Sequence, residues 1–96
     1  MDNLVYYTEL YDYYKSLLTD TQRKYFEDYY FSNLSFSEIS LKYNVSRNAV
    51  YRQVKITKEL LDNYENNLNI RSKISKIESI LDNSSLSKKI REIIED

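Results

Sequence analysis

The chain has 96 residues, of which 42% are hydrophobic and 30% charged, and its formal net charge is −1; this balance is typical of one small soluble domain. It contains no Cys and no His, which excludes disulfides, thiolate or imidazole metal sites and most nucleophile–base pairs, so we expect no enzyme, no metal and no cofactor. Its apolar runs are short, so we expect neither a membrane span nor a signal peptide, and a cytoplasmic location.

Glycine and proline are both absent from the chain. Few β-turn residues are therefore present, no proline breaks a helix, and strict alternation of apolar and polar residues is not found. The sequence predicts an all-α fold. We expect a single helical domain over residues 1–96, with a helix-turn-helix at 35–58 and a C-terminal helical tail at 70–96.

The first predicted helix runs from Asn3, as N-cap, to Leu18. Its apolar residues recur every three or four positions, as on one face of a helix: Leu4, Tyr7, Tyr11, Tyr14 and Leu18. A tyrosine-rich stripe could stack nucleic-acid bases, but this spacing is more typical of a core or a subunit contact.

A capping box predicts the second helix. Thr19 precedes an apolar-periodic segment and Gln22 follows three residues later, so each side chain can bond to the backbone of the other. We expect this helix to continue to about Ser32, followed by a short connection.

The segment FSEISLKYNVSRNAVYRQVK, residues 36–55, carries the pattern of a helix-turn-helix. Ser35 and Glu38 form another capping box, which predicts a helix that starts at Phe36. Asn44 suits the left-handed residue of a tight turn, and Ser46 is a good N-cap for a second helix. The apolar residues predicted to make core contacts are Ile39, Tyr43, Val45, Val50 and Val54.

The helix that opens at Ser46 meets no stop until about 66–67, so it should be about 20 residues long, roughly 30 Å. A further helix is predicted at 70–81, then a break at 82–85 and a last short helix. The apolar stripes at 4–18 and 70–94 exceed what a small core needs, which predicts a homodimer. The tail stripe could alternatively cover the first helix within one chain.

Positive charge is concentrated in the helix-turn-helix, because residues 35–60 carry five basic and two acidic side chains whereas residues 1–34 carry three and six. At about 100° per residue, one polar face of the second helix opposes Val50 and Val54. We predict that this face contacts nucleic acid; its residues are Arg47, Asn48, Tyr51, Arg52 and Lys55. The alternative is a solvated basic face, and a pI near 5.5 argues against avid non-specific DNA binding.

Residues 19–68 resemble the region of bacterial sigma factors that reads the −35 promoter element. The matching positions are Leu18-Thr19, Gln22-Arg23, Leu34-Ser35, Glu38-Ile39, Val45-Ser46-Arg47 and Val50. This resemblance implies a DNA-binding type of helix-turn-helix.

The whole chain is similar to the YlxM-like proteins of Gram-positive bacteria and mycoplasmas, through LYDYYKSLLTDTQRKYFEDYY, the segment from SFSEISLKYNVSRNAV to the NNL of residues 66–68, and a tail rich in Leu and Ile. The resemblance implies an all-helical regulator associated with the signal recognition particle pathway, with that particle's RNA or protein components as partners. The alternative function is a sequence-specific DNA-binding transcription regulator unrelated to protein targeting.

Overall fold

The structure is a computed structural model that describes residues 4–81 and 84–95, all of it helix and connecting loop. The α-helices are α1 (Leu4–Tyr14), α2 (Asp20–Tyr30), α3 (Phe36–Tyr43), α4 (Arg47–Leu68), α5 (Ile70–Ile80) and α6 (Ser84–Glu95). A short 3-10 helix at Lys15–Leu17 follows α1. The predicted all-α fold is confirmed.

Side-chain caps set the starts of the three central helices where the sequence predicts them. Both capping boxes are formed, by Thr19 with Gln22 at α2 and by Ser35 with Glu38 at α3. At α4, the backbone N–H of Ala49 donates to Ser46 Oγ at 3.0 Å. Each cap satisfies an amide that the first turn of a helix leaves without a partner.

Asparagine takes the left-handed position at three helix ends in this glycine-free chain. Asn33, Asn44 and Asn69 have φ of 57°, 55° and 55°. Asn44 was predicted for this position and the other two were not. After α2, Leu34 N–H donates back to Asp28 O at 2.9 Å, so the chain reverses at Asn33 and α2 ends at Tyr30, before the predicted Ser32.

Two other predicted boundaries differ from the structure. The first helix ends at Tyr14 and tightens into the 3-10 turn instead of continuing to Leu18, as helix C-termini often do. The predicted break at 82–85 is too long, because Ser84 and Ser85 already belong to α6. The predicted cap Asn3 and residues Asp82 and Asn83 lie outside the described residues.

An aromatic core joins α1 and α2 to the helix-turn-helix. Tyr11 stacks on Phe26 with ring centroids 4.5 Å apart, and Phe26 in turn lies 4.4 Å from Tyr30. The core also contains Leu10, Tyr14, Leu18, Tyr25, Ile39, Val50, Val54 and Leu61. The tyrosine stripe of α1 is therefore largely a core element, whereas Val45, predicted to make a core contact, is 38% exposed, because it lies in the turn between α3 and α4.

A buried carboxylate fixes the junction between α4 and the tail. Glu65 is only 8% exposed. It accepts the hydroxyl of Tyr14 at 2.7 Å and the backbone N–H groups of Arg71 and Ser72, both at 3.1 Å. The first turn of α5 is thus capped by a side chain from the preceding helix. The first helix contributes the tyrosine, so α1, α4 and α5 meet at one hydrogen-bonded group, named here the Glu65 junction.

The tail packs on the rest of the chain with only part of its apolar surface. Ile74 is 1% exposed, and an ion pair joins Arg71 to Glu9 of α1. Ile80 and Ile93, in contrast, are 79% and 74% exposed. Within the chain, the tail therefore covers α1 and still leaves apolar side chains in contact with solvent.

Candidate nucleic-acid interface

The N-terminal half of α4 is held in a fixed rotation about its axis. Val50 and Val54 are 0% and 3% exposed, so these two residues, one turn apart, press one side of the helix into the core. The turn at Asn44 and the cap at Ser46 fix where the helix begins. The opposite side must then face solvent.

All five residues predicted for nucleic-acid contact are exposed; at about 100° per residue, Asn48, Arg52 and Lys55 lie opposite the two valines, whereas Arg47 and Tyr51 lie at the border of the buried side. The five residues are named here the recognition face: Arg47, Asn48, Tyr51, Arg52 and Lys55. The last four line a shallow groove of about 310 Å³. The guanidinium of Arg47 lies outside this groove, 5.8 Å from the ring centroid of Phe36 on α3, where the cation meets the face of an aromatic ring.

Chemically, the recognition face combines three cations with an amide and a phenol. Arginine and lysine can neutralise phosphates, and asparagine can bond to a base edge with a donor and an acceptor together. These side chains all extend from one helix, so the spacing of their Cα atoms is set before any ligand binds. The assignment of these residues to nucleic-acid binding stays a prediction.

A second concave surface, named here the aromatic cleft, lies between α2, α3 and α4. Its volume is about 330 Å³ and its lining consists of Tyr29, Phe36, Tyr51, Val54, Lys55 and Lys58. Tyr29, Phe36 and Lys58 were not among the predicted site residues. Tyr29 and Phe36 reach the cleft through contacts between helices, which the sequence does not show. Lys58 could have been predicted, because it lies one helical turn after Lys55 and two turns after Tyr51.

A second buried carboxylate joins α2 to α3, the first helix of the helix-turn-helix. Asp28 of α2, 8% exposed, accepts the hydroxyl of Tyr43 at 2.7 Å and the ammonium of Lys42 at 3.0 Å. The bond to Asp28 raises the pKa of Tyr43 and also that of Lys42, since it favours the protonated form of each partner. This group ties α3 to α2, and it directs Lys42 to a carboxylate instead of to a ligand.

Neither a metal site nor a membrane span is found in the described part of the chain. No three His, Cys, Asp or Glu residues among residues 4–81 and 84–95 are grouped so that they could hold an ion. No helix in those ranges is both long and apolar enough to cross a membrane.

A short capped helix, an asparagine turn and a second helix with one buried and one exposed side define a helix-turn-helix protein. Comparison with known families agrees with this class. The chain belongs to the UPF0122 family, described as "Putative helix-turn-helix protein, YlxM / p13 like", whose model matches residues 1–96. The predicted family resemblance is confirmed.

Several bacterial proteins of this family are similar to the chain. A UPF0122 protein of Halalkalibacterium halodurans is 41% identical over 81 residues, which cover 84% of this chain and 74% of the relative. One from Geobacillus is 42% identical over 72 residues, or 75% of this chain and 66% of the relative. One from Mycoplasma capricolum is 39% identical over 95 residues, covering 91% and 84%.

Proposed function

We propose that this protein is a non-enzymatic regulator that binds nucleic acid through the recognition face and acts with the signal recognition particle in protein targeting. The observation that carries the proposal is that Val50 and Val54 of α4 are buried in the core, while five polar or aromatic residues in the same half of the helix are all exposed. The particle as partner rests on the YlxM-like resemblance.

The charges of the recognition face favour a ligand over simple solvation. Arg47 begins α4, where a cation opposes the helix macrodipole by a few tenths of a kcal/mol. Stability alone would not select arginine at that position. Within 35–60 the chain carries five basic and two acidic side chains, so the local field attracts polyanions although the whole molecule has a net charge of −1.

The proposal is tested by direct binding measurements on two nucleic acids. Purified protein is titrated into fluorescently labelled signal recognition particle RNA and into promoter DNA, at several salt concentrations. We expect tighter binding to the particle RNA, with an affinity that falls as salt rises, because phosphate contacts release counterions. Preferential binding to promoter DNA would instead favour the alternative, a transcription regulator.

The variant with Arg47→Ala, Arg52→Ala and Lys55→Ala provides the test of the face itself. We expect it to bind either ligand more weakly and to melt at the parent temperature, since all three side chains are exposed. The matched control replaces three exposed cations of the tail, Lys73, Lys76 and Lys89, by Ala, so that the net charge changes equally. Parent-like binding by the triple variant would show that the face is only solvated.

We also propose that the protein forms a homodimer through helices outside the helix-turn-helix, namely α1 and the tail helices α5 and α6. Exposed apolar side chains support this: Val5 of α1 is 64% exposed, and Ile80 and Ile93 of the tail are more so. Where exposed apolar side chains lie together on a surface, they often mark a protein contact.

Light scattering on the variant Ile80→Asp with Ile93→Asp tests the dimer. We expect the parent mass to correspond to two chains and the variant mass to one. Both side chains are exposed within one chain, so the substitutions leave the monomer fold intact. A parent mass of one chain at every concentration would refute the dimer.

A further inference from the structure

The aromatic cleft has the size of a site for one planar ring. Its volume of about 330 Å³ lies at the lower end of ligand pockets, which span roughly 300–1,000 Å³. Val54, 3% exposed, belongs to both the core and the lining, so the base of the cleft is held by packed side chains. The cleft is therefore a formed feature of the helix-turn-helix.

Three aromatic rings give the cleft two nearly perpendicular walls. Tyr29 and Phe36 stack in parallel, with centroids 4.6 Å apart and an interplanar angle of 9°. Tyr51 meets Phe36 at 5.6 Å and 80°, and the Tyr51 side chain is 49% exposed. A flat ring that stacked on Tyr51 would lie nearly perpendicular to Phe36. Both arrangements are favourable for aromatic pairs.

The charged groups at the cleft favour an anionic ligand. Lys55 and Lys58 line it together, and the guanidinium of Arg47 lies over the ring of Phe36, one of the lining residues. The ammonium of Lys58 is 5.1 Å from the ring centroid of Tyr7, so α1 helps to position it. An apolar side chain from a protein would gain little from these cations. A planar ring next to a phosphate would use both the rings and the cations, and a nucleotide has that chemistry.

The cleft and the recognition face share a border. Tyr51 and Lys55 line both the aromatic cleft and the groove on the recognition face. A strand bound to Asn48 and Arg52 would thus reach the cleft across Tyr51. Paired bases in a duplex are stacked inside it, whereas bases in loops and bulges are free to stack on aromatic side chains.

We propose that the aromatic cleft binds one unpaired base of the nucleic acid held on the recognition face, with the base stacked on Tyr51 and the adjacent phosphates near Lys55 and Lys58. This inference rests on the proposed function and narrows it to nucleic acids that contain unpaired bases. It assigns ligand contacts to Tyr29, Phe36 and Lys58 in addition to the recognition face.

The test compares two RNA hairpins that differ only in one bulged 2-aminopurine, a fluorescent base whose emission falls when it stacks. We expect the parent protein to bind the bulged hairpin about 5- to 150-fold more tightly than the fully paired one, the range given by one base–aromatic stack. Emission should fall at saturation.

Variants at Tyr51 separate stacking from other contacts. Tyr51→Phe keeps the ring and should retain the preference for the bulged hairpin, whereas Tyr51→Leu should lose it. Lys58→Gln, outside the recognition face, should lower the salt slope for the bulged hairpin by about 0.7, the value for one lost phosphate contact on a single strand. Lys58→Gln also carries the test should Tyr51→Leu fail to fold.

The outcomes show separately whether the base site and the proposed function hold. Equal binding of both hairpins, weakened by Arg52→Ala, would overturn the base site and leave the proposed function standing. Failure of the parent to bind the particle RNA, promoter DNA and both hairpins would overturn both proposals. Unchanged emission with equal effects of Tyr51→Phe and Tyr51→Leu would also overturn the base site.

Discussion

The helix-turn-helix and the tail are positioned by different kinds of interaction. In α3 and the start of α4, a capping box, a left-handed asparagine and a second N-cap act within a few residues of one another. The tail depends on the Glu65 junction, where Tyr14 and Glu65 are 51 positions apart in the chain. Local signals thus build the recognition face, and a long-range polar contact decides where the tail lies relative to it.

Removal of the carboxylate should have the largest effect on stability. In Glu65→Ala, the hydroxyl of Tyr14 and two backbone amides of α5 lose their acceptor at a buried site, so we expect a loss of roughly 3 kcal/mol or more. Urea unfolding measures the total loss in the free energy of unfolding. Hydrogen exchange should show that α5 amides lose more protection than those of α3.

Glu65→Gln is the matched control, because it keeps one acceptor oxygen and the side-chain volume. It should lie between the parent and Glu65→Ala in stability. Equal loss of protection in α3 and α5 would contradict the comparison, since the two regions would then unfold as one unit.

High pH should weaken the same junction. Burial, and then the hydrogen bond to Glu65, raise the pKa of Tyr14 to about 12, compared with about 10 in the unfolded chain. The protonated hydroxyl therefore contributes stability that is complete below pH 10 and is lost as pH rises through the folded pKa. The loss should amount to about 2 kcal/mol between pH 10 and pH 12.

Unfolding midpoints for the parent and Tyr14→Phe, measured across that range, isolate this contribution from those of the other tyrosines. The variant should start less stable and then lose less stability than the parent as pH rises. Parallel curves would show that Tyr14 does not titrate with folding.

A smaller effect is expected at the turn of the helix-turn-helix. Asn44→Val places a β-branched residue at φ 55°, which should cost on the order of 1 kcal/mol or more, whereas Asn44→Gly should be tolerated. Thermal melts of the two variants provide the measurement. If the valine variant melts at the same temperature as the glycine variant, the turn can adopt another backbone conformation, in which residue 44 is not left-handed.

The difference between local and long-range interactions also explains which features could be predicted from the sequence. Thr19, Ser35, Asn44 and Ser46 could be assigned from sequence because each acts on backbone groups close to it in the chain, and apolar spacing then located the helices. The carboxylates of Asp28 and Glu65 gave no such signal. On a helix an acidic residue is usually solvated, and its burial depends on a tyrosine that only the folded chain brings near.

The candidate site likewise has one part that could be predicted from the sequence and one part that could not. Exposure of Asn48, Arg52 and Lys55 followed from helical geometry once Val50 and Val54 were assigned to the core. The aromatic cleft could not be predicted, because it exists only where Tyr29 of α2 stacks on Phe36 of α3. Spacing within one helix contains no information about that contact.

The smallest effect on stability, and a distinct effect on binding, is expected at Arg52. Its side chain is exposed on the recognition face and lines the groove with Asn48. Arg52→Ala should change the free energy of unfolding by less than about 0.5 kcal/mol. If Arg52 contacts a phosphate, the slope of log affinity against log salt should flatten by roughly 0.7 to 0.9.

Asn48→Ala is the counterpart, since an amide that reads a base edge carries sequence information and no charge. We expect it to leave the salt slope unchanged and to relax the preference for one base position. Identical slopes and preferences in both variants and the parent would mean that this part of α4 does not touch nucleic acid. A difference between them would separate the residue that positions the ligand from the residue that reads it.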